Sequence, residues 1–338
     1  MNGAPSASEP LYRREFPAAE IMARYPPQWH HPNKQAVFRL ACPPHSAMPE
    51  QSPCPAGRRC PCPPALDPAV HRTELVVREG FFDYRPTLPR PAVEWHLNFA
   101  ASDLFCPYSG PLFAQDEMQV AEHPALGAVR EALLALGLST RTAQQGRPTP
   151  ILVKGVERRC RVATDCNPAE GRPHGLYGNH FARADLTAIR RAVTVIEPPT
   201  VSNIIAIEAP ACGSGPYRAE EIEFILATAF SGFSAARVES RRSDAPPPPV
   251  AIHTGFWGCG AYGGNRLLMA LLQLLAARWA RVERLVFHTG EHSGAEVLEA
   301  AVVLLGQITG DRSRTIPTRQ IIADLEARRF CWGISDGN

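Results

Sequence analysis

The 338-residue chain has no apolar run near the roughly 20 residues that cross a bilayer, so no membrane span is expected. Its opening, MNGAPSASEPLYRREF, has no apolar stretch after the first charges, so no secretory signal is expected either. Neither charge sign dominates. The 35 basic residues stand against 33 acidic ones and leave +2, too even a balance to draw nucleic acid by bulk electrostatics. No internal repeat is visible. What remains is a globular chain, 45% hydrophobic and 20% charged, with material for a sizeable core. Its length suits two domains of about 150 residues or one larger α/β unit.

Proline and cysteine are abundant instead, with 34 and 10 residues. Without an export signal the thiols read as reduced, which places the chain in the cytoplasm. Residues 1–70 read as an irregular Pro/Cys-rich extension, because proline removes backbone donors and blocks helices and central strands. Cys42, Cys54, Cys60 and Cys62, with His45 nearby, are weak zinc candidates, because their spacing lacks paired C-x2-C knuckles. The alternative is a proline-rich segment that happens to contain cysteines. Residues 71–338 read as one α/β unit. Leu75–Val77, Ala92–Ala100, Ile151–Val162, Asn203–Pro210, Val250–Gly255 and Glu283–Glu291 have strand patterning. Helical spacing runs from Phe113 to Gly137, onward from Ala219, and over Arg266–Ala280, with two further helices near the C-terminus. Strands alternating with helices predict an internal mixed sheet flanked by helices.

The strongest local signal is Val250–Ala276, a strand, a loop with Gly255, Gly258, Gly260, Gly263 and Gly264, and a helix. Glycines let backbone N–H groups approach an anion, and the following helix N-terminus favours negative charge. The run lacks the lysine of a GxxxxGK[ST] loop and is not a GxGxxG in the first βα unit. Trp257 and Tyr262 offer flat walls for a ribose or base. A tight strand-to-helix turn with packed aromatics explains the same residues equally simply.

WGCGAYGGN closely resembles the W-G-C-G-A-F-G-G-D run of the poly(ADP-ribose) glycohydrolase catalytic domain, a macrodomain relative. NIIAIEAP and the helix ending AFSGF are similar to that family's next elements upstream. EGFFDY, WHLNFA and FAQDEM resemble its earlier ones, so the likeness covers roughly Arg72–Gly310. It implies a macrodomain-like fold and hydrolysis of an ADP-ribosyl glycosidic bond, with no cofactor. Glu117 would be the acid/base and Asp116 would hold the ribose, both in the position of the family's Q-E-E signature with Gln115. Asn98 would position the ribose and Asp83 would meet the adenine. Gly258, Cys259, Gly260, Ala261, Tyr262 and Gly263 would cradle the diphosphate and distal ribose, and Phe287 would flank the base. The implied partner is ADP-ribose or an ADP-ribosylated macromolecule, nucleic acid only as such a substrate.

The sequence departs from the family at one diphosphate loop. Where it has three glycines, this chain has Phe105, Cys106 and Pro107, and proline cannot donate an N–H. Ala101 replaces an asparagine, and Phe256 stands for the asparagine of the second loop. Tyr108, Ser109 and Gly110 are the residues available to rebuild the first loop. A chain that only binds ADP-ribose or another nucleotide, as a reader or sensor, is the alternative. A lone Q-D-E is also what the first turn of a helix favours for its dipole. His253 and His288 lie at strand ends that face ligand in α/β folds. His123 reads as a surface or capping histidine.

Overall fold

The computed structural model describes residues 10–43, 52–66, 72–89, 91–242, 246–310 and 315–337. Eight strands form one mixed sheet: β1 (Tyr12–Arg13), β2 (Cys54–Gly57), β3 (Glu74–Arg78), β4 (Val93–Ala100), β5 (Ile151–Val162), β6 (Val193–Glu208), β7 (Val250–Thr254) and β8 (Arg284–His288). Their order across the sheet is β1-β2-β5-β6-β4-β7-β8-β3. The five strands from β6 to β3 are mutually parallel, and β5, β2 and β1 add antiparallel pairs at one side. All five parallel strands therefore end at one edge, where loops converge and ligands of open α/β sheets bind.

Central strands buried on both faces read as continuous apolar runs, as Ile204–Ile207 and Val250–Ile252 do. On one face, Leu97, Ile205, Ile252 and Leu285 pack under α5 (Ala219–Ser240), α6 (Arg266–Ala280), α7 (His292–Thr309) and α8 (Thr318–Ala327). On the other, Ala100, Ile151, Val153, Ile204 and Ala206 meet Ile21 of α1 (Ala18–Arg24), Val120 of α3 (Gln115–Glu122) and Leu126, Val129 and Leu133 of α4 (Ala125–Ala135). The helical stretch expected over 113–137 is thus two helices. Pro124 has no N–H to donate and stops the first. His123 holds the break, its ring nitrogens 2.9 Å from the Gln119 carbonyl and 3.0 Å from Ser202 Oγ.

The expectation of an irregular first 70 residues is corrected over the described part, which contributes β1, α1, β2 and α2 (Pro32–Ala41). Its prolines hold defined places in these elements. Pro32 opens α2, where the missing donor is unneeded. The carbonyls of Pro53 and Pro55 accept from Phe16 and Arg14. Beyond β2, Arg58 Nε donates to Glu239 of α5 at 2.6 Å, a buried tie between this segment and the rest of the unit. The four zinc-candidate thiols do not converge. Cys54 pairs across the sheet with Lys154, and Cys60 and Cys62 pack with the α5–α8 core. Cys42 lies with Phe113 and Cys160 in a separate cluster, and no metal-ligand cluster occurs among the described residues. His45 lies outside them.

Candidate active site

At the C-terminal edge of the parallel strands opens a cleft of about 1290 Å³. The N-terminus of α3 enters it from one side and the loop between β7 and α6 from the other. Gln115 clamps α3 to the sheet: its Nε2 donates to the Leu97 carbonyl at 3.0 Å, and its Oε1 accepts the Phe99 N–H at 2.7 Å. With both ends of its amide held by β4, it lines the cleft as a brace for the two acids that follow.

Asp116 and Glu117 both line the cleft and are almost wholly buried, at 5% and 2% exposure. Asp116 Oδ1 accepts from Asn98 Nδ2 at 3.0 Å, while its Oδ2 is buried without a hydrogen-bond partner among the described residues. Glu117 Oε2 accepts the Ala114 N–H at 2.8 Å. Burial pushes the Asp116 carboxyl far up, and the neighbouring Glu117 charge pushes it further. Burial likewise raises Glu117, opposed by the Lys34 ammonium and backbone N–H groups. Like charges this close do not both ionise readily, so the pair retains a proton above the ordinary carboxylate range.

Opposite them, Gly258 (φ +74°) lets the loop reverse close to Ala209, and an added Cβ there would lie 2.4 Å from the Ala209 Cβ. The carbonyls of Gly258 and Gly260 accept from Gly264 and Gly263 within the loop. The N–H groups of Gly258, Gly260, Ala261 and Tyr262 have no protein acceptor among the described residues. Four such donors at one cleft wall form an anion cradle of the kind glycine loops build. Residues 331–337 strap this loop, and Gly333, Ile334 and Asp336 among them line the cleft. The Gly333 N–H donates to the Gly263 carbonyl at 2.8 Å and the Asp336 N–H to that of Gly260 at 3.4 Å, while Trp332 stacks on Tyr217 at 4.3 Å. Tyr262 lines the cleft within electrostatic reach of Asp116.

Several expected site residues stand elsewhere. Asn98 is fully buried behind Asp116 and orients that carboxylate; it does not line the cleft. Gly263 lies under the strap, its would-be Cβ 3.0 Å from Ser335 N. Phe287 is fully buried among the core residues beneath α5–α8, in a T-shaped contact with Phe256 at 5.1 Å between centroids. Strand parity explains it, since His288, one residue on, lines the cleft. Trp257 borders the cleft but is almost wholly buried, its indole N–H donating to the Ile207 carbonyl at 3.2 Å. Asp83 does line the cleft, held by Arg78 at 2.8 Å and the Arg85 N–H.

Phe105 does not intrude. Its backbone turns left-handed (φ +53°) and its ring is buried among Leu104, Tyr108 and Val129. Tyr108 and Ser109 do not rebuild the loop on the cleft side: the Tyr108 hydroxyl binds Gln28 N and Glu131, and the Ser109 carbonyl accepts from His30 and His31. Sequence reasoning missed Arg266, whose guanidinium stands 5.3 Å over the Phe256 ring in the cleft lining; its place just after the glycine loop was the available signal. It also missed Tyr84, covered by Arg158 at 4.2 Å. Under the loop after β3 lies a histidine array. Glu94 binds His253 at 2.8 Å, His253 meets His288 at 3.1 Å, and His288 reaches the Phe81 carbonyl at 3.1 Å. His96 stacks on His253 at 4.2 Å between centroids. His253 is fully buried behind the cleft, and His123 serves the helix break described above, not the surface.

Residues 176–296 match the family model described as Poly (ADP-ribose) glycohydrolase (PARG), Macro domain fold. That span takes in β6, α5, β7, the glycine loop, α6 and β8, while Gln115–Glu117 lies upstream of it. Among solved structures, the Thermomonospora curvata poly(ADP-ribose) glycohydrolase bound to the inhibitor ADP-HPD is 18% identical, with TM-score 0.46 over 69% of this chain and 79% of that one. A second structure of the enzyme from that organism is 16% identical, with TM-score 0.45 over 86% and 93%. The Deinococcus radiodurans enzyme in complex with ADP-ribose is 14% identical, with TM-score 0.43 over 91% and 99%. Residues 176–296, set within the helix-flanked mixed sheet, are thus similar to the poly(ADP-ribose) glycohydrolase macro domain.

Proposed function

We propose that this protein hydrolyses an ADP-ribosyl O-glycosidic linkage, with ADP-ribose or an ADP-ribosylated macromolecule as its partner. The observation that carries the reading is that Glu117 and Asp116 open into the same cleft as the free N–H groups of the 258–262 loop. The loop takes the diphosphate, Arg266 adds positive charge beside it, and the acid pair stands at the scissile ribose. Departure of the glycosidic oxygen leaves an oxocarbenium-like ribose, which needs a proton on the leaving oxygen and then an activated water. Glu117, whose carboxyl burial shifts toward its protonated form, donates that proton. As a carboxylate it then takes a proton from the attacking water. Asp116, oriented by Asn98, holds the ribose hydroxyls. A nucleic acid enters only as a modified substrate. We place the protein in the cytoplasm, where ten cysteines with no disulfide among them suit a reducing compartment.

The test follows free ADP-ribose by mass spectrometry after incubation with poly(ADP-ribose), mono-ADP-ribosylated protein and ADP-ribosylated nucleic acid. Glu117→Gln is expected to lose about 10²–10⁴ of the rate, the usual range for a general acid–base. Binding of ADP-ribose without release from any substrate would make the protein a reader. Release undiminished in Glu117→Gln would refute the assigned role.

A further inference from the structure

Lys34 is one of only two lysines in the sequence, and it lies outside the segment that matches the family model. It sits in the first turn of α2 and is completely buried. Its Nζ donates to the Tyr108 carbonyl at 2.7 Å and stands 5.5 Å from the Phe113 ring and 6.0 Å from that of Phe181. Those two rings stack at 4.0 Å, forming an aromatic floor beneath the ammonium. No carboxylate lies within ion-pair distance among the described residues, yet the ammonium stays within electrostatic reach of Glu117 and Asp116. The residues it touches are those that deliver the acid pair. Tyr108 belongs to the turn beside cleft-lining Pro107, and Phe113 precedes Ala114, whose N–H holds Glu117.

A fully buried ammonium is strongly disfavoured unless negative charge or a good hydrogen-bond and π environment offsets its lost hydration. Two buried carboxyls face the mirror problem: without nearby positive charge both stay protonated, and neither can act as a base. We propose that Lys34 is a positioning residue of this site, its buried charge allowing Asp116 and Glu117 to share one negative charge while its bond to Tyr108 fixes the turn beside them. The proposal rests on the acid pair being the working site. Burial lowers the Lys34 ammonium to about 8, and the charges of Glu117 and Asp116 act against that fall. Within its own helix segment the other ionisable group it affects is His31, pushed down by burial and by the Lys34 charge. From α3 the groups facing it are Asp116 and Glu117; the 180–183 helix contributes the Phe181 ring.

Two lysines make the test direct. Protein labelled with ¹³C and ¹⁵N in lysine gives two side-chain signals, and Lys154→Arg assigns them. In Glu117→Gln and in Asp116→Asn the Lys34 titration is expected to move to lower pH, by about one unit for a charge at this range. In Lys34→Met, loss of the cation is expected to move both limbs of the pH–rate profile to higher pH with little change in KM, and Lys34→Arg is expected to restore part of the wild-type profile. A Lys34 titration unmoved by both acid variants overturns the proposal, and that measurement stands even where Lys34→Met does not fold. Absence of turnover in the wild type would sink the glycohydrolase reading while leaving the lysine titration to decide the coupling.

Discussion

Gly258 is the position where the loop's geometry can be tested most sharply. Its φ of +74° is left-handed, and a Cβ there would lie 2.4 Å from the Cβ of Ala209 and 3.2 Å from Met269 Cε. Gly258→Ala therefore carries two penalties, a backbone term of about 1–2 kcal/mol for an L-residue in this region and an overlap term of about 1–3 kcal/mol in a packed neighbourhood. Their sum of roughly 2–5 kcal/mol corresponds to a fall in Tm of about 3–7 °C for a chain of this size. Calorimetric melting of Gly258→Ala, Ala209→Gly and the double variant separates the terms. Ala209→Gly removes the atom that the new methyl group would strike, so the double variant is expected to recover the overlap part, a coupling of about 1–3 kcal/mol. Gly260→Ala is the control. Its nearest neighbour is Asp336 Oδ2 at 2.9 Å, the tip of a side chain that can move, and its Tm is expected within about 2 °C of wild type. A strictly additive double variant, or a Gly258→Ala melt no lower than that of Gly260→Ala, refutes the reasoning.

The raised Asp116 carboxyl also makes a stability prediction. A carboxyl whose folded pKa is above its unfolded one destabilises the fold progressively as pH rises, from the ordinary 3.8 toward about 8. Asp116→Asn is thus expected to melt at higher temperature than wild type at pH 8, with the gap closing toward pH 4; a gap independent of pH counts against it. Burial has the opposite effect on the histidines, lowering His123 to about 3 and His288 to about 4, and His96 well below the ordinary 6.5. Their neutral forms stabilise the fold above 6.5, and each loses about 1.4 kcal/mol per pH unit below it until its folded pKa is reached. Urea titrations at pH 6.5, 5.5 and 4.5 should show this steep loss, and a flat profile would count against buried neutral imidazoles. Glu94 is drawn down to about 2: burial alone would raise it, but the His253 bond and the Thr87 and Leu88 N–H groups prevail. Glu94→Gln is therefore expected to destabilise the protein at pH 7 and to cost progressively less as pH falls below the ordinary 4.5 toward 2, measured by the same titration.

What the sequence disclosed was local. Ile151–Val162 and Arg266–Ala280 form the very elements their patterning predicts, because each is a single continuous stretch whose period sets its own state. The glycine loop was legible for the same reason: strand, turn and helix follow one another directly. What escaped depended on partners far along the chain. Proline density suggested irregular backbone before β3, yet Pro32 opens a helix where no donor is needed and Pro55 joins the sheet through its carbonyl. Phe105 stands where the resembling family has a glycine, and the left-handed φ it adopts is not visible in a sequence. Phe287 was placed one residue off the correct strand face, an error that period-two geometry magnifies into the opposite side of the sheet. Lys34 offered no local signal; its surroundings come from residues 108, 113 and 181.

The strap over the glycine loop has a bearing on which sign of charge the loop accepts. Peptide planes in a glycine-rich run rotate readily, and a rotated plane turns a carbonyl where an N–H had been. Here the Gly260 and Gly263 carbonyls accept from the N–H groups of Asp336 and Gly333. Rotating either plane means giving up a hydrogen bond made by a distant part of the chain. Residues 331–337 thus bias the orientation of the loop's dipoles, and loosening Trp332 from Tyr217 is a way to blur the loop's preference for anions without touching a single residue of the cleft wall.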